Sequence, residues 1–151
     1  MVSSQAPKNY SSGAHRYANH AASFLCALNN GVQSITLWNL ALDEEGYPNV
    51  GPFRCIGTNV IARNGSYIKH CDDYYALKHL SKYVRRGAKR IVVDDSAVPA
   101  NFKVGAFINP DGQKVVVVTN QEIYDVPLYL DVDGKTVELW ILRESVNTVL
   151  L

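Results

Sequence analysis

The sequence predicts a mainly β chain of the α+β class, in which one helix and one buried strand precede an antiparallel β-sandwich. Short apolar runs recur from about residue 90 onward, and turn dipeptides such as Asp111-Gly112 and Asp133-Gly134 separate them, which is typical of a sandwich. A helical pattern over 14–30 leads into the apolar run 35–42, which is the order of an α/β unit.

The first 52 residues divide into two segments. Residues 1–13 are polar and contain Gly and Ser, so we expect them to be poorly ordered. Residues 14–52 hold the helix, which Gly31 is placed to end, and the strand. Six of the eight residues in the run 35–42 are apolar, which predicts a strand buried on both faces.

Residues 53–151 are predicted to form the sandwich together with one short helix. Asn64-Gly65 is a strong hairpin signal between two strand candidates. Asp72 or Asp73 is placed to cap a helix that runs to about Val84, and Gly87 prevents its continuation. The further predicted strands are 90–93, 102–108, 113–119, 126–132, 136–142 and 146–150.

Composition and charge exclude several classes of function. Hydrophobic residues make up 47% and charged residues 19% of the chain, which is typical of a folded globular protein. The net charge of +1 creates no global field for nucleic acid or an anionic membrane, and we interpret the basic run 85–90 as a solvated helix end. No apolar run is long enough to span a bilayer, and Met1 to Pro7 lack the pattern of a signal peptide.

The three cysteines give an odd count. Cys55 and Cys71 flank the predicted hairpin that could bring them together, so a disulfide between them is an alternative to the expected free thiols. No Cys/His spacing matches a zinc site, and we predict no metal.

Four motifs follow one another in order along the chain. Residues 38–43, Trp-Asn-Leu-Ala-Leu-Asp, followed by Gly-Tyr-Pro-Asn at 46–49, look like the eighth barrel strand of glycoside hydrolase family 30, which includes glucosylceramidases and β-1,6-glucanases. Residues 73–91, which include His79-Leu80-Ser81-Lys82, are similar to a second family segment. The Asn-Pro-Asp-Gly turn at 109–112 and Ser-Val-Asn-Thr at 145–148 complete the resemblance, which covers nearly the whole chain.

The resemblance implies a domain division and a reaction. Residues 14–52 would be the last helix and eighth strand of a (β/α)8 catalytic barrel, and 53–151 the β-sandwich domain. The parent reaction would be retaining hydrolysis of β-glucosidic bonds in glycolipids or β-glucans, without metal or cofactor. The enzyme would be secreted or extracellular. The missing barrel part of the same enzyme is then an expected partner of this chain.

The catalytic groups of the resembled family cannot be matched to this sequence. Both are glutamates on earlier barrel strands, and no glutamate precedes Glu44. Glu44 and Glu45 belong to a loop, where their spacing would not be fixed as a retaining pair requires. We therefore predict no catalytic residue here and an isolated chain without activity. The rival hypothesis is a non-catalytic β-sandwich module that binds carbohydrate or completes a barrel supplied by another chain.

Two residues are candidates for substrate binding. The resemblance implies that Trp38 lines the sugar pocket, where its indole would stack on a sugar ring; the alternative is a core tryptophan. Asp43 ends the predicted strand and could bond a ligand, or it could serve a turn. His79 matches a family histidine that looks structural, packing between barrel and sandwich. The sugar, the linkage and the aglycone stay open.

Overall fold

The computed structural model describes residues 2–5, 14–52 and 55–151. Within these ranges the fold is mainly β, with two helices and with sheets that are antiparallel except for one parallel pair of strands, as predicted for the class. The elements are β1 Val2–Gln5, α1 Ala14–Asn29, β2 Ala41–Leu42, β3 Asn59–Ile61, β4 Ile68–His70, α2 Asp72–Ser81, β5 Lys89–Ile91, β6 Phe102–Ile108, β7 Lys114–Asn120, β8 Val126–Val132, β9 Lys135–Ile141 and β10 Ser145–Leu150.

The described residues form three layers around a central five-stranded sheet. The order of its strands is β1-β10-β7-β6-β5, and every neighbouring pair is antiparallel. The β8–β9 hairpin packs on one face of this sheet, and α1 and α2 pack on the other. The valines of β7 explain its central position: Val115 and Val117 contribute to the core under the helices, and Val116 and Val118 to the core under the hairpin.

Helix α1 lies close to β6 because β6 carries a glycine at the contact. A Cβ built on Gly105 would lie 2.8 Å from Cδ2 of Leu25, which is fully buried. The side-chain amide of Asn29 donates to the carbonyl of Val104 at 2.8 Å, which fixes the end of α1 against the same strand. Gly31 follows with a φ of 91°, as a helix-ending glycine should.

The N-terminal segment differs in part from the expected poorly ordered stretch. Val2–Gln5 pair with β10 in the register Val2↔Thr148 to Gln5↔Ser145, which gives that strand a neighbour on its outer edge. Backbone pairing requires no apolar side-chain pattern, and the composition of 1–13 therefore gave no sign of it. Residues 1 and 6–13 lie outside the described residues.

The run 35–42 is not the two-sided buried strand that its composition predicted. Only Ala41–Leu42 is a strand, and it pairs in parallel with β3 in a small sheet of order β2-β3-β4. Ile35 and Leu37 pack against the core under the helices, whereas Leu40 is 79% exposed. The prediction failed because an apolar run shows only that its side chains are apolar. It does not show which other parts of the chain cover them.

The remaining elements follow the sequence prediction closely. β3 and β4 form the hairpin around Asn64-Gly65, and β5 to β10 overlap the six predicted strands. The capping prediction for α2 was wrong: Cys71 is the N-cap and provides no side-chain hydrogen bond. Asp72 and Asp73 lie instead in the first turn, where their negative charge suits the helix dipole.

Candidate functional site

Trp38 is 84% exposed in the described part of the chain and belongs to neither buried core. The backbone on both sides of it is fixed. Leu37 packs against the core under the helices, and the carbonyl of Asn39 accepts a hydrogen bond from the Thr58 amide at 2.8 Å. The large aromatic side chain of Trp38 is thus exposed to solvent, while contacts on both sides fix its backbone.

The carbonyl of Leu40 joins this segment to the small sheet. It accepts hydrogen bonds from the Asn59 amide at 3.1 Å, from the Thr58 hydroxyl at 2.7 Å and from the Asn59 side-chain amide at 3.0 Å. The Asn59 side-chain oxygen lies 2.6 Å from Nδ1 of His70. The His70 ring in turn stacks on Tyr74 of α2, with 3.8 Å between centroids and an interplanar angle of 8°. The segment that carries Trp38 is therefore connected to α2 by polar contacts and ring stacking.

Asp43 organises the loop that follows β2. Its Oδ1 accepts hydrogen bonds from the amides of Glu45 and Tyr47 at 2.9 and 2.8 Å, and its Oδ2 accepts one from Nε of Arg63 at 2.8 Å. The Tyr47 amide is the main cause that lowers the pKa of Asp43, and Arg63 lowers it further. The geometry is that of the turn role considered as the alternative to ligand binding.

Arg63 bonds to all three acidic residues of this loop. It bonds Glu45 at 2.9 Å through its guanidinium, and its backbone amide donates to Glu44 at 3.1 Å. The hydrogen bond to Asp43 is the largest cause that raises the pKa of Arg63. A general acid needs a carboxyl whose pKa is raised. The pKa of Asp43 is lowered instead, so Asp43 is unsuited to act as a general acid. The contacts with Arg63 clamp the loop.

His79 occupies the buried junction between α2 and the central sheet. Its Nδ1 lies 2.8 Å from the hydroxyl oxygen of Thr148 on β10, and its ring centroid is 6.3 Å from that of Tyr17 on α1. Burial, with a smaller contribution from the charge of Lys78, lowers the pKa of His79 to about 4. His79 is thus a neutral packing residue at physiological pH, in agreement with the structural role predicted for it.

The other site predictions concern metals, cysteines and membranes. Among the described residues, no group of three or more His, Cys, Asp or Glu side chains could hold a metal ion. No disulfide bond joins Cys26, Cys55 or Cys71 among the described residues. None of the described helices has the length and apolar character needed to cross a membrane.

The sequence analysis missed the partners of the predicted site residues. Arg63 is 20 positions from Asp43, and His70 is 11 positions from Asn59. Only the Asn64-Gly65 turn, which folds β4 onto β3, gave an indirect signal, since it places residues 59–63 beside residues 66–70. Nothing in the sequence indicated that β3 would lie beside β2.

The layers described above define a helix-flanked β-sandwich domain with an exposed tryptophan segment on its helical side. Residues 87–149 match the family model described as the glycosyl hydrolase family 30 beta sandwich domain. Over this segment the chain is similar to the C-terminal sandwich domain of glycosyl hydrolase family 30.

Relatives of known name show a similarity over a larger part of the chain. Lysosomal acid glucosylceramidase of Mus musculus is 37% identical over 94 residues, which are 62% of this chain and 18% of the relative. An endo-1,6-beta-D-glucanase of Neurospora crassa is 30% identical over 151 residues, covering 88% of this chain and 30% of the relative. The chain thus spans less than a third of either enzyme.

Two solved structures superpose on most of the chain. An endo-beta1,6-glucanase matches with a TM-score of 0.78 and 25% identity over 89% of this chain and 30% of its own. SrfJ from Salmonella typhimurium matches with a TM-score of 0.84 and 21% identity over 97% of this chain and 33% of its own, which supports the fold alone.

Proposed function

We propose that this chain is the C-terminal part of a retaining β-glycosidase that hydrolyses β-glucosidic bonds in glycolipids or β-glucans. In this proposal residues 14–52 are the last helix and eighth strand of the catalytic barrel, and 53–151 the β-sandwich domain. We infer from the family that the enzyme is secreted, which detection in culture medium would test.

The exposed Trp38 carries the proposal. An indole that is 84% exposed on a held backbone contributes little to the core of the fold, but it offers a flat apolar surface with one hydrogen-bond donor to a sugar ring. The clamp of Asp43 and Arg63 holds the neighbouring loop. We assign Trp38 as the sugar-binding residue and Asp43 as the residue that positions the loop of this site.

The isolated chain is expected to be inactive. Retaining hydrolysis needs two carboxyl groups about 5–5.5 Å apart, one of them a nucleophile and the other an acid that later acts as base. Asp43, Glu44 and Glu45 are instead bonded to Arg63. The 151-residue chain should show no turnover of aryl β-glucosides or β-1,6-glucan. Turnover that is lost in Glu44→Gln or Glu45→Gln would place the catalytic carboxyls in this loop and contradict the assignment.

A chimera tests the proposed function itself. The matched 30% of the Neurospora crassa relative would be replaced with this chain, so that the relative supplies the remaining 70%. We expect the folded chimera to hydrolyse β-1,6-glucan or an aryl β-glucoside. A folded chimera without turnover of either substrate, beside an active parent enzyme, would refute the proposal.

The rival is a non-catalytic module that completes a barrel supplied by another chain. The parallel pairing of β2 with β3 favours this possibility, because the described residues give β2 no strand on its other edge. Mixing this chain with a separately produced barrel part of the Neurospora relative distinguishes the two cases. Activity on mixing would support a separate module, whereas activity confined to the fused chimera would support a part of one enzyme.

A further inference from the structure

The outer face of the β8–β9 hairpin is a second exposed aromatic surface. The alternation of both strands sends Leu128, Leu139 and Ile141 into the core under the hairpin. The outward positions are all exposed; they are Pro127, Tyr129, Asp131, Thr136, Glu138 and Trp140. We call these six residues the hairpin face.

Trp140 and Tyr129 are the aromatic residues of this face. They are 56% and 60% exposed, and neither contributes to the two buried cores. Trp140 pairs with Pro127, and Tyr129 with Glu138, so the two rings lie on diagonal positions of the ladder. Diagonal positions are about 7–8 Å apart, which is close enough for one oligosaccharide to touch both rings.

Polar groups lie beside the rings. The Tyr129 hydroxyl is 3.5 Å from Oε1 of Glu138, and the Thr136 hydroxyl donates to Asp131 at 2.5 Å. Aromatic planes next to hydrogen-bond acceptors suit a polyol, whose C–H faces stack on rings while its hydroxyls donate to carboxylates. The face carries two carboxylates and no Lys or Arg, so its charge disfavours nucleic acids, anionic lipids and acidic polysaccharides.

The hairpin face is separate from the candidate site at Trp38. The hairpin covers one side of the central sheet, while the segment that carries Trp38 packs with the helices on the other. We propose that the hairpin face binds a neutral β-linked glucan chain, at a carbohydrate site separate from Trp38. The choice of a β-glucan rests on the proposed function, whereas the existence of the site rests on the geometry of the face.

Tryptophan fluorescence tests this inference directly, because the chain contains two tryptophans. In the 151-residue Trp38→Phe variant, Trp140 is the remaining reporter. Addition of soluble β-1,6-glucan or laminarin should shift or quench its emission in a saturable way, whereas heparin should not. An emission that stays constant with both glucans, or an equal response to heparin, would overturn the proposal.

Binding by variants separates the two surfaces. Affinity electrophoresis in gels that contain the responding glucan should show a loss of about tenfold or more for Trp140→Ala and for Tyr129→Ala, the scale of one lost stacking contact. Tyr124→Ala, which removes an exposed aromatic ring outside both surfaces, is the matched control and should bind as the parent chain does. Trp38→Ala is measured beside it. Melting curves check that both hairpin variants are folded, and Tyr129→Phe, which keeps the ring, should bind nearly normally.

The outcomes distinguish this inference from the proposed function. Binding that is lost in Trp38→Ala and kept in both hairpin variants would overturn the hairpin site and leave the proposed function intact. Binding that is lost only in the hairpin variants supports this site even if the chimera proves inactive.

Discussion

The imidazole of His79 and the hydroxyl of Thr148 form a buried hydrogen-bonding pair, with 2.8 Å between Nδ1 and Oγ1. The pair joins α2 to β10 and lies beside the Tyr17 ring of α1. The charge of Lys78, on the same helix, further disfavours the imidazolium form of His79. Protonation of His79 would therefore place a charge in the core, which burial disfavours.

The stability of the chain should fall in acid because of His79. Its ordinary pKa of 6.5 applies to the unfolded chain, and the pKa is about 4 in the folded state. Between these values the unfolded chain binds more protons, so the free energy of unfolding decreases as the pH falls from about 6.5 to 4, by about 3 kcal/mol at most. Urea unfolding at several pH values should show this slope. His79→Gln should flatten it, and the exposed control His70→Gln should retain it.

Removal of the Trp38 side chain should affect activity more than stability. Because the indole is largely exposed, Trp38→Ala should change the free energy of unfolding by no more than about 0.5 kcal/mol. In an active chimera the same change should lower kcat/KM. The loss should correspond to about 1–3 kcal/mol of transition-state stabilisation, the value of one large apolar contact. A strong destabilisation with unchanged kinetics would remove Trp38 from the site.

Loss of the Asp43 carboxylate should loosen the loop after β2. Asp43→Asn weakens the acceptor of the Glu45 and Tyr47 amides and the partner of Arg63. Hydrogen exchange at those two amides should accelerate. Glu45→Gln, which weakens only one contact of Arg63, is the matched control and should leave exchange nearly unchanged. The lowered pKa of Asp43 also means that its contribution is present above pH 3.8 and is lost below it.

Gly57→Ala should disrupt the pairing of β2 with β3. A Cβ at this position would lie 2.7 Å from the carbonyl oxygen of Asn59 and 2.9 Å from the amide nitrogen of Leu42. Both are backbone atoms that cannot rotate away, and we expect a loss of about 1–3 kcal/mol in denaturant unfolding. Gly105→Ala meets the end of the Leu25 side chain instead and should cost less. Equal costs for the two variants would show that the backbone at Gly57 relaxes freely.

The isolated chain should self-associate through the segment around β2 and β3. Residues 32–68 include exposed apolar side chains at Trp38, Leu40, Val50 and Ile56, and such exposure favours association. Sedimentation across a range of concentrations should show a mass that rises with concentration. Leu40→Ser should reduce this rise in mass. Ile123→Ser, which changes an exposed residue outside this segment, is the control and should not reduce it. A monomer at all concentrations would contradict the prediction.

Much of the sandwich was predictable because its strands are marked locally. Gly112 and Gly134 take positive φ values in the turns between β6 and β7 and between β8 and β9. These glycines marked both hairpins in the sequence, and the pairing of β8 with β9 follows the predicted turn. Local turn chemistry decides such pairings within a few residues, so they can be inferred without knowledge of the rest of the fold.

The sequence by itself determined the fold class, the helix α1, the sandwich strands and the family resemblance, since each depends on local periodicity, turn residues or contiguous motifs. Only the tertiary structure decided that the run 35–42 is largely not a strand, that Trp38 is exposed, and that Asp43 is clamped by Arg63. The physical reason is that burial and ion pairing depend on which distant segments come together. Composition records that Trp38 and Leu40 are apolar, but only their neighbours in space determine whether they are covered.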